Sequence, residues 1–314
     1  MKWQNKKVLV TGGAGVIGRE LIKKLDNLQS DILCIDREPK PFDLPKQIKY
    51  YQADISEIDI EVIIDYNPEV IFHLAASFER TEEAPEFWEI NYRDNIVVSH
   101  RIIGICKRLE NLEKFIYASS YLIYSPELYL FEQPLETARV LNEGDILNTR
   151  NLIGGAKYYA ENEIDFISKT CGRFVSVSAR IFRVYGLGSK DVISNWARRA
   201  LRGDELEVYR KENMFDYVFA GDVAAGLIKL SEHCSKNEIV NLGSGKARKV
   251  DEVIKILQSY IGGIKTKDVN YGQEYEASCA DISRFVSISG YQPPTTIEKG
   301  IQMVVDYEKK LFRK

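Results

Sequence analysis

Short apolar runs alternate with amphipathic segments through roughly the first 180 residues of the chain. The apolar run "KKVLVT" precedes the helical pattern "VIGRELIKKLDNL", and the next apolar run, "DILCID", follows directly. Long helical patterns occur at about residues 86–110 and 152–171. Strands that alternate with helices predict βαβ units, in which right-handed connections cover both faces of a parallel sheet.

The alternation changes after about residue 182. Short strand patterns such as "ELEVYR" and "MFDYVFA" then mix with helical patterns such as "VAAGLIKLSEH". No flexible linker, repeat or low-complexity segment separates the two parts, so we expect them to share one core. We predict a large domain over residues 1–182 and a smaller α/β lobe over residues 183–314, with chain segments that interleave.

Charge and composition narrow the class of protein. The 314 residues carry a formal net charge of -3 with both signs mixed, which indicates neither nucleic acid nor a membrane surface as the main partner. No apolar run approaches the roughly 20 residues that span a bilayer, and the first apolar run is too short for a signal peptide. The five scattered cysteines predict a cytoplasmic protein without a disulfide framework, and the three histidines lack metal-ligand spacing, so no metal is expected.

The stretch "TGGAGVIG" places Gly12, Gly15 and Gly18 between the first strand and the first helix. Glycine lets the backbone approach a pyrophosphate closely, and a helix N-terminus offers N–H groups to phosphate. About 20 residues later Asp36 ends the second strand, where a carboxylate can accept hydrogen bonds from both hydroxyls of an adenosine ribose. That carboxylate would repel a 2′-phosphate, so we expect NAD rather than NADP, although Arg37 argues mildly the other way.

Further motifs follow in a specific order: "HLAA", "EINYRDN", "YASSYLIYS", "GGAKYYAENE", "ARIFRVYGLG" and "NLGSG". Their order and spacing resemble the extended short-chain dehydrogenases of the NAD-dependent epimerase/dehydratase type, which act on nucleotide sugars. The resemblance covers nearly the whole chain. It implies an α/β fold, a Rossmann-type doubly wound parallel sheet with a smaller C-terminal α/β substrate lobe. It also implies tightly held NAD, a nucleotide-diphosphate sugar as substrate, and a homodimer built on a four-helix bundle from the two long helices.

The resemblance, together with the strand ends, assigns the candidate site residues. The expected cofactor-binding residues are Gly12, Gly15, Val16, Ile17, Gly18, Asp36, Arg37, Asp54, Ile55, Leu74, Ala75, Ala76, Asn91, Ser119 and Lys157. The expected substrate-binding residues are Ser77, Ser120, Tyr121, Arg183 and Arg210. The candidate catalytic residues are Ser120, Tyr121 and Lys157. Asp54 is equally compatible with a helix N-cap or a turn.

One position breaks the family's catalytic pattern. The family oxidises a sugar hydroxyl, usually at C4, while a tyrosinate removes the proton and a lysine four residues later favours the phenolate. Lys157 and Ser120 match the lysine and its hydroxyl partner, but the tyrosine position holds Ile153, which cannot exchange a proton. Tyr121, Ser120 or a water relayed to Lys157 are the open replacements. Tyr121 is the better candidate, although it is also compatible with a stacking or packing residue.

Three further departures concern the reaction and the substrate. Leu122 stands where related 4,6-dehydratases have an acid, which argues against 4,6-dehydration. Arg183 replaces a common asparagine, and Phe215 replaces a common arginine. We predict that Arg183 binds the diphosphate with Arg210 nearby, because a guanidinium matches phosphate oxygens.

Three functions follow from these observations. The leading hypothesis is an enzyme that oxidises a nucleotide sugar, as a 4-dehydrogenase or a 4-epimerase. The second is a catalytically quiet sensor or partner protein that binds NAD or a nucleotide sugar, and the missing tyrosine supports it. The third is a keto-sugar reductase that uses the same site in reverse. The sequence identifies neither the nucleotide nor the sugar.

Overall fold

A computed structural model describes residues 1–78, 85–269 and 274–312. The strands are β1 (Lys7–Thr11), β2 (Asp31–Asp36), β3 (Lys49–Gln52), β4 (Val70–His73), β5 (Lys114–Ser120), β6 (Leu130–Phe131), β7 (Arg139–Leu141), β8 (Val175–Ile181), β9 (Arg183–Tyr185), β10 (Leu206–Tyr209), β11 (Met214–Phe219), β12 (Glu238–Leu242), β13 (Ala247–Lys249), β14 (Thr266–Val269) and β15 (Tyr275–Ala280). The helices are α1 (Val16–Asn27), α2 (Glu61–Tyr66), α3 (Phe87–Asn91), α4 (Val98–Ile105), α5 (Leu152–Cys171), α6 (Val192–Leu201), α7 (Ala220–His233), α8 (Val250–Ile261), α9 (Ser283–Ser289) and α10 (Ile297–Phe312). None of these described helices combines the length and the apolar composition that crossing a membrane requires.

Seven parallel strands form the large sheet in the order β3-β2-β1-β4-β5-β8-β12. The chain starts at the centre with β1, winds outward to β3, and then returns to wind outward in the other direction from β4. This arrangement leaves a crevice beyond the carboxyl ends of β1 and β4, where such sheets bind ligands. The strand order confirms the predicted Rossmann-type doubly wound sheet.

Apolar side chains of the central strands alternate between the two faces of the sheet. Val8 and Val10 belong to one buried cluster, which includes Leu21 of α1, whereas Leu9 belongs to a second, which includes Ile102 of α4. Burial on both faces explains why β1 is apolar at successive positions in the sequence. The two cores hold the ends of β1, β4 and β5 in place around the crevice.

The smaller lobe is organised around β11, which pairs with β9 and β15 in parallel and with β13 in the antiparallel direction. Strands β6 and β7 precede residue 182 but pair with β15, and β12 follows residue 182 but joins the large sheet. The chain therefore interleaves across the predicted boundary. The limits 1–182 and 183–314 stay a prediction.

The two long helices differ in regularity. Helix α5 has the predicted limits; the Asn151 side chain accepts a hydrogen bond from the Gly154 N–H at 2.9 Å, and Gly172 at φ 63° ends the helix. The segment predicted over about 86–110 is helical from Phe87 to Ile105 and contains a π-helical turn, Tyr92–Val97. Within that turn Asn95 is buried and exchanges hydrogen bonds with the backbone of Ser77 at 2.8 and 2.9 Å. The wider turn therefore connects this helix to the segment that follows β4.

Candidate active site

The glycine-rich turn is shaped by close backbone contacts. Gly12 has φ 73°, and a Cβ atom there would lie 2.6 Å from the Ala75 nitrogen, so only glycine fits. A Cβ atom on Gly18 would collide with the carbonyl oxygen of Gly12. Gly15 is the N-cap of α1, and the first turn of that helix contains no acidic side chain. The N–H groups of Val16 and Ile17 therefore begin a helix whose positive end suits an anionic group.

Asp36 lies at the carboxyl end of β2, beside this turn. Its carboxylate accepts hydrogen bonds from the Ala14 N–H at 2.8 Å and from the Glu38 N–H at 2.9 Å. Each oxygen has a second lone pair, which leaves acceptors for ribose hydroxyls. The position fits the predicted role of Asp36 in holding the adenosine ribose.

Arg37, the residue that could bind a 2′-phosphate of NADP, is instead paired with a neighbouring acid. Its guanidinium donates to Asp94 at 2.6 Å and to the Ser77 hydroxyl at 3.0 Å, and Ser77 also donates to Asp94. Burial by itself would raise the pKa of Asp94, but hydrogen bonds from Arg93, Ser77 and Arg37 outweigh it and lower the pKa. The ionised Asp94 thus forms an ion pair with Arg37, the guanidinium that would otherwise be available to a 2′-phosphate. Ser77, predicted to bind substrate, takes part in the same network.

The wall of the crevice follows β4. The Thr11 hydroxyl accepts from the N–H groups of Leu74 and Ala75 at 3.2 and 3.3 Å and contacts His73 Nδ1 at 2.7 Å. These bonds hold the backbone of Leu74 and Ala75 next to Gly12. His73 is fully buried, and burial together with Lys157 lowers its pKa to about 3, so the ring is neutral.

Three other predicted cofactor residues have local structural partners. The Asp54 carboxylate accepts from the Ser56 N–H and hydroxyl at 2.8 and 2.7 Å. This is the turn, one of the two local roles that the sequence allowed for Asp54. Ile55 is buried in the core beneath it. Asn91 is buried and accepts from the Asn95 amide at 2.8 Å. Their roles toward a cofactor stay predictions.

Lys157 lies one helical turn after Ile153, and both side chains are buried. The ammonium donates to the Ala118 carbonyl of β5 at 2.7 Å and lies 4.8 Å from the centre of the Tyr117 ring. Burial lowers the pKa of Lys157 to about 7, and the charge of Glu161 opposes this shift only in part. About half of the Lys157 side chains are therefore neutral near neutral pH. A neutral amine is a proton acceptor.

The two serines at the end of β5 have different surroundings. The Ser119 hydroxyl donates to Glu161 at 2.5 Å, and Glu161 also pairs with the buried Arg180 at 2.9 Å. Ser119 is therefore committed to this buried ion pair, which sequence analysis did not identify. The Ser120 hydroxyl accepts from the Leu122 N–H at 3.2 Å, which leaves its proton available to donate toward the crevice.

Tyr121 is placed among aromatic and charged side chains. Its ring stacks on Phe182 with centroids 5.0 Å apart, and its hydroxyl donates to Glu276 at 2.9 Å. Burial raises the pKa of Tyr121 well above its usual value, and the nearby Arg183 does not compensate. A phenol that already donates to a carboxylate is a poor proton acceptor. The structure therefore favours the packing interpretation of Tyr121 over the catalytic one, which stays untested.

Arg183 and Phe215, the two unusual positions, are in direct contact. The Arg183 guanidinium lies 3.7 Å from the centre of the Phe215 ring and donates to Glu276 at 3.2 Å. Arg210 lies over the Tyr275 ring at 4.2 Å. Arg150 also donates to Glu276, at 2.5 Å. Neither Glu276 nor Arg150 was predicted as a site residue from the sequence, although Arg150 directly precedes Asn151, the N-cap of α5.

The crevice defines this chain as a Rossmann-type dinucleotide-binding protein, because its sheet reverses direction beside a glycine-built helix N-terminus. A sequence profile described as the NAD dependent epimerase/dehydratase family matches residues 8–243, so the chain belongs to that family. This confirms the resemblance inferred from the motifs.

Similar proteins cover the chain almost from end to end. A Methanocaldococcus jannaschii protein provisionally named UDP-glucose 4-epimerase is 28% identical over 317 residues, which are 96% of this chain and 98% of that protein. The structure of UDP-glucose 4-epimerase from Thermotoga maritima with UDP-glucose is 26% identical, with a TM-score of 0.84 and coverage of 97% of this chain and 99% of that chain. A Bacillus cereus UDP-glucuronic acid 4-epimerase, in complex with UDP-glucuronic acid and NAD, is 23% identical with a TM-score of 0.84 and the same two coverages. At that identity the likeness concerns the fold.

Proposed function

We propose that this chain is an NAD-dependent enzyme that oxidises a nucleotide sugar at C4 and returns the hydride to the other face, as a 4-epimerase does. The observation that carries the proposal is the buried amine of Lys157 at the end of β5, close to Ser120 and beside the crevice. Return of the hydride restores the cofactor without a second oxidant. Release of the ketone would instead make the chain a 4-dehydrogenase that depends on one.

The residues of the crevice fit NAD. Gly12 and Gly18 allow the backbone of the turn to pack closely at the N-terminus of α1, and Asp36 retains acceptors for ribose hydroxyls. Bound NAD would accept the hydride from C4 of the sugar. Arg37 is paired with Asp94, which favours NAD over its 2′-phosphorylated form.

The proton of the C4 hydroxyl would pass to the neutral amine of Lys157, directly or through one water. Ser120 would donate a hydrogen bond to the same oxygen and orient it. The C–H bond and the O–H bond break, the C=O bond forms, and Lys157 becomes an ammonium that returns the proton in the second half of the cycle. A general base is most effective when its pKa is near the working pH, and burial lowers the pKa of Lys157 to about 7.

The substrate proposed is a nucleotide-diphosphate sugar. Arg183 and Arg210 are the candidate groups for its anionic part, since each guanidinium lies on an aromatic ring of the smaller lobe. The names of the relatives that act on UDP sugars support this class of substrate. The nucleotide base stays open.

We also propose a cytoplasmic homodimer. Trp88, Tyr92, Tyr159 and Phe166 expose half or more of their surface, or close to it, on the segment from α3 to α4 and on α5. A cluster of large exposed apolar side chains is typical of an interface, and these elements are the ones expected in the four-helix bundle. The thiols of the five cysteines are unpaired and mostly buried, which suits a reducing compartment.

The experiment offers nucleotide sugars to the NAD-loaded protein and follows reduced coenzyme by absorbance and sugar epimers by chromatography. Epimer formation supports the 4-epimerase, and accumulation of ketone with reduced coenzyme supports the 4-dehydrogenase. The buried Ile153 favours a second candidate, a quiet binding protein. That function would be indicated by tight binding of NAD and sugar without conversion of any sugar. Failure to bind NAD would contradict all three.

A further inference from the structure

Two arginines and one glutamate form a charged group at the reacting end of the crevice, which we name the Arg150–Glu276–Arg183 cluster. Both guanidiniums contact the same carboxylate oxygen of Glu276, at 2.5 Å from Arg150 and 3.2 Å from Arg183. Burial alone would raise the pKa of Glu276, but the two arginines outweigh it and lower the pKa, so the carboxylate is ionised. Two positive charges against one negative charge leave the cluster cationic.

The arginines, rather than the glutamate, face solvent. The side chains of Arg150 and Arg183 are 32% and 36% exposed, whereas that of Glu276 is 4% exposed. Glu276 therefore lies beneath the guanidiniums and fixes their direction. Tyr121 occupies its other oxygen at 2.9 Å. Positions held in this way lose little conformational entropy when they bind a ligand.

A second observation also indicates a missing partner in this cluster. Tyr217 is directly opposite Arg183 in the β9–β11 pair and is 5% exposed, yet its hydroxyl has no hydrogen-bond partner among the described residues. The Nε atom of Arg183 is also buried without a partner there. Buried polar atoms are normally satisfied, so these two donors are available to an acceptor supplied by a ligand or by water.

The cluster lies close to the candidate catalytic residues. Tyr121 follows Ser120 directly, the Arg150 N–H donates to the Leu122 carbonyl at 3.0 Å, and Ile153 lies in the first turn of α5, just after Arg150 in the chain. An anion held by Arg150 would therefore belong to the sugar ring, not to the diphosphate. A planar carboxylate matches the fork of a guanidinium.

We infer that the Arg150–Glu276–Arg183 cluster, with Tyr217, recognises a carboxylate on the sugar ring, so that the substrate is an acidic nucleotide sugar. The inference rests on the proposed function and specifies its substrate class. It assigns Arg183 to the sugar ring and leaves Arg210 as the candidate group for the diphosphate. Arg150 becomes a substrate-binding residue, and Glu276 a positioning residue that acts through the two arginines.

The test is calorimetric binding of UDP, UDP-glucose and UDP-glucuronic acid to the NAD-loaded protein and to Arg150→Gln. Wild type is expected to bind UDP-glucuronic acid about 10- to 100-fold more tightly than UDP-glucose, as hydrogen bonds between charged groups allow. Arg150→Gln is expected to remove that preference while UDP affinity stays within about twofold. The control Arg108→Gln, which removes an exposed ion pair with Glu61, should change none of the three affinities.

Equal affinity of wild type for the two sugars would overturn the inference but leave the proposed function intact. An equal loss of UDP and UDP-glucuronic acid binding in Arg150→Gln would also overturn it, because the arginine would then bind the diphosphate. Absence of binding for all three probes, with NAD bound, would instead contradict the proposed function. Arg150→Lys keeps the charge without the fork and should show an intermediate loss of preference if Arg150→Gln does not fold. An unchanged preference for UDP-glucuronic acid over UDP-glucose in Arg150→Lys would overturn the recognition of the carboxylate by the planar guanidinium of Arg150.

Discussion

The proposed role of Lys157 makes a quantitative prediction about pH. Burial lowers the pKa of Lys157 to about 7, so the neutral fraction of the amine rises from about 10% near pH 6 to about 90% near pH 8. If the neutral amine accepts the proton, the rate of sugar oxidation in a single turnover should rise about ninefold over that range and then level off. The measurement is stopped-flow absorbance of the reduced coenzyme with the NAD-loaded protein and saturating sugar.

The alternative acceptors give different profiles. Burial raises the pKa of Tyr121 far above neutrality, so a rate limited by its phenolate would continue to rise well beyond pH 8. Lys157→Arg keeps a positive charge that does not deprotonate, and it should lower the oxidation rate by about 10²–10⁴. Tyr121→Phe, the matched control, should keep the plateau and its midpoint. A flat profile, or substantial activity in Lys157→Arg, would exclude Lys157 as the base.

The same pKa can be checked without catalysis. The folded amine has a lower pKa than the ordinary lysine value of 10.5, so between about pH 7 and 10.5 the unfolded chain binds the extra proton. This group therefore destabilises the protein at neutral pH, by roughly 5 kcal/mol at most, and the penalty fades as the pH rises to 10.5. Lys157→Met should exceed wild type in free energy of unfolding near pH 6.5, and the difference should shrink near pH 9. Urea unfolding at both values measures it, and an equal difference at the two would refute the depressed pKa.

Four other predictions follow from single contacts. Ile153→Tyr should restore the family's phenol and turn over sugar about 10²-fold faster than Ile153→Phe, which fills the same buried space without a hydroxyl. Equal turnover rates would refute the assumption that position 153 faces the reacting hydroxyl. Asp94→Ala should release Arg37 and raise NADP affinity about tenfold in a fluorescence titration, with NAD affinity retained; an unchanged NADP affinity would show that the pair does not set selectivity. Gly12→Ala should abolish NAD binding because its Cβ meets Ala75, whereas Gly172→Ala, at a similar φ in open space, should bind normally; retained binding by Gly12→Ala would contradict the close turn. Phe166→Glu should give monomers in light scattering and Phe42→Glu should not; a Phe166→Glu dimer would exclude this helical face as the interface.

The sequence predicted the parts of the site that depend on local structure. The glycines at 12, 15 and 18 and the acid at 36 follow strands that are visible as apolar runs, and parallel strands bring their carboxyl ends together. Ile153 was equally visible at its fixed spacing before Lys157, at the position where the family resemblance implies a tyrosine. The glycine turn, the acid at 36 and the residue at 153 can be read from the sequence because each is defined by residues in the same or the next helix or strand.

The partners of several site residues could not be predicted in this way. Tyr121 was expected to face a proton from the substrate, but it donates to Glu276, which is 155 residues away in the chain. Ser119 was expected to face the cofactor, but it donates to Glu161, on the helix that crosses above it. Glu276 belongs to none of the quoted motifs, and the motif that contains Glu161 does not indicate its partner. Ser119 and Glu161 meet because α5 packs on β5 within the large domain, whereas Tyr121 and Glu276 meet where the smaller lobe contacts the large one.

The amino-acid sequence by itself determined the class of fold, the position of the glycine-rich turn and the presence of Ile153 one helical turn before Lys157, because hydrophobic period, glycine and residue identity act over short distances. Only the tertiary structure decided that Asp94 pairs with Arg37 and that Arg150 and Arg183 both pair with Glu276. It also decided that Lys157 is buried, which lowers the pKa of its amine to about 7. The strength of a charge depends on its partners and on its distance from water. Both are properties of packing between elements that are remote in the chain.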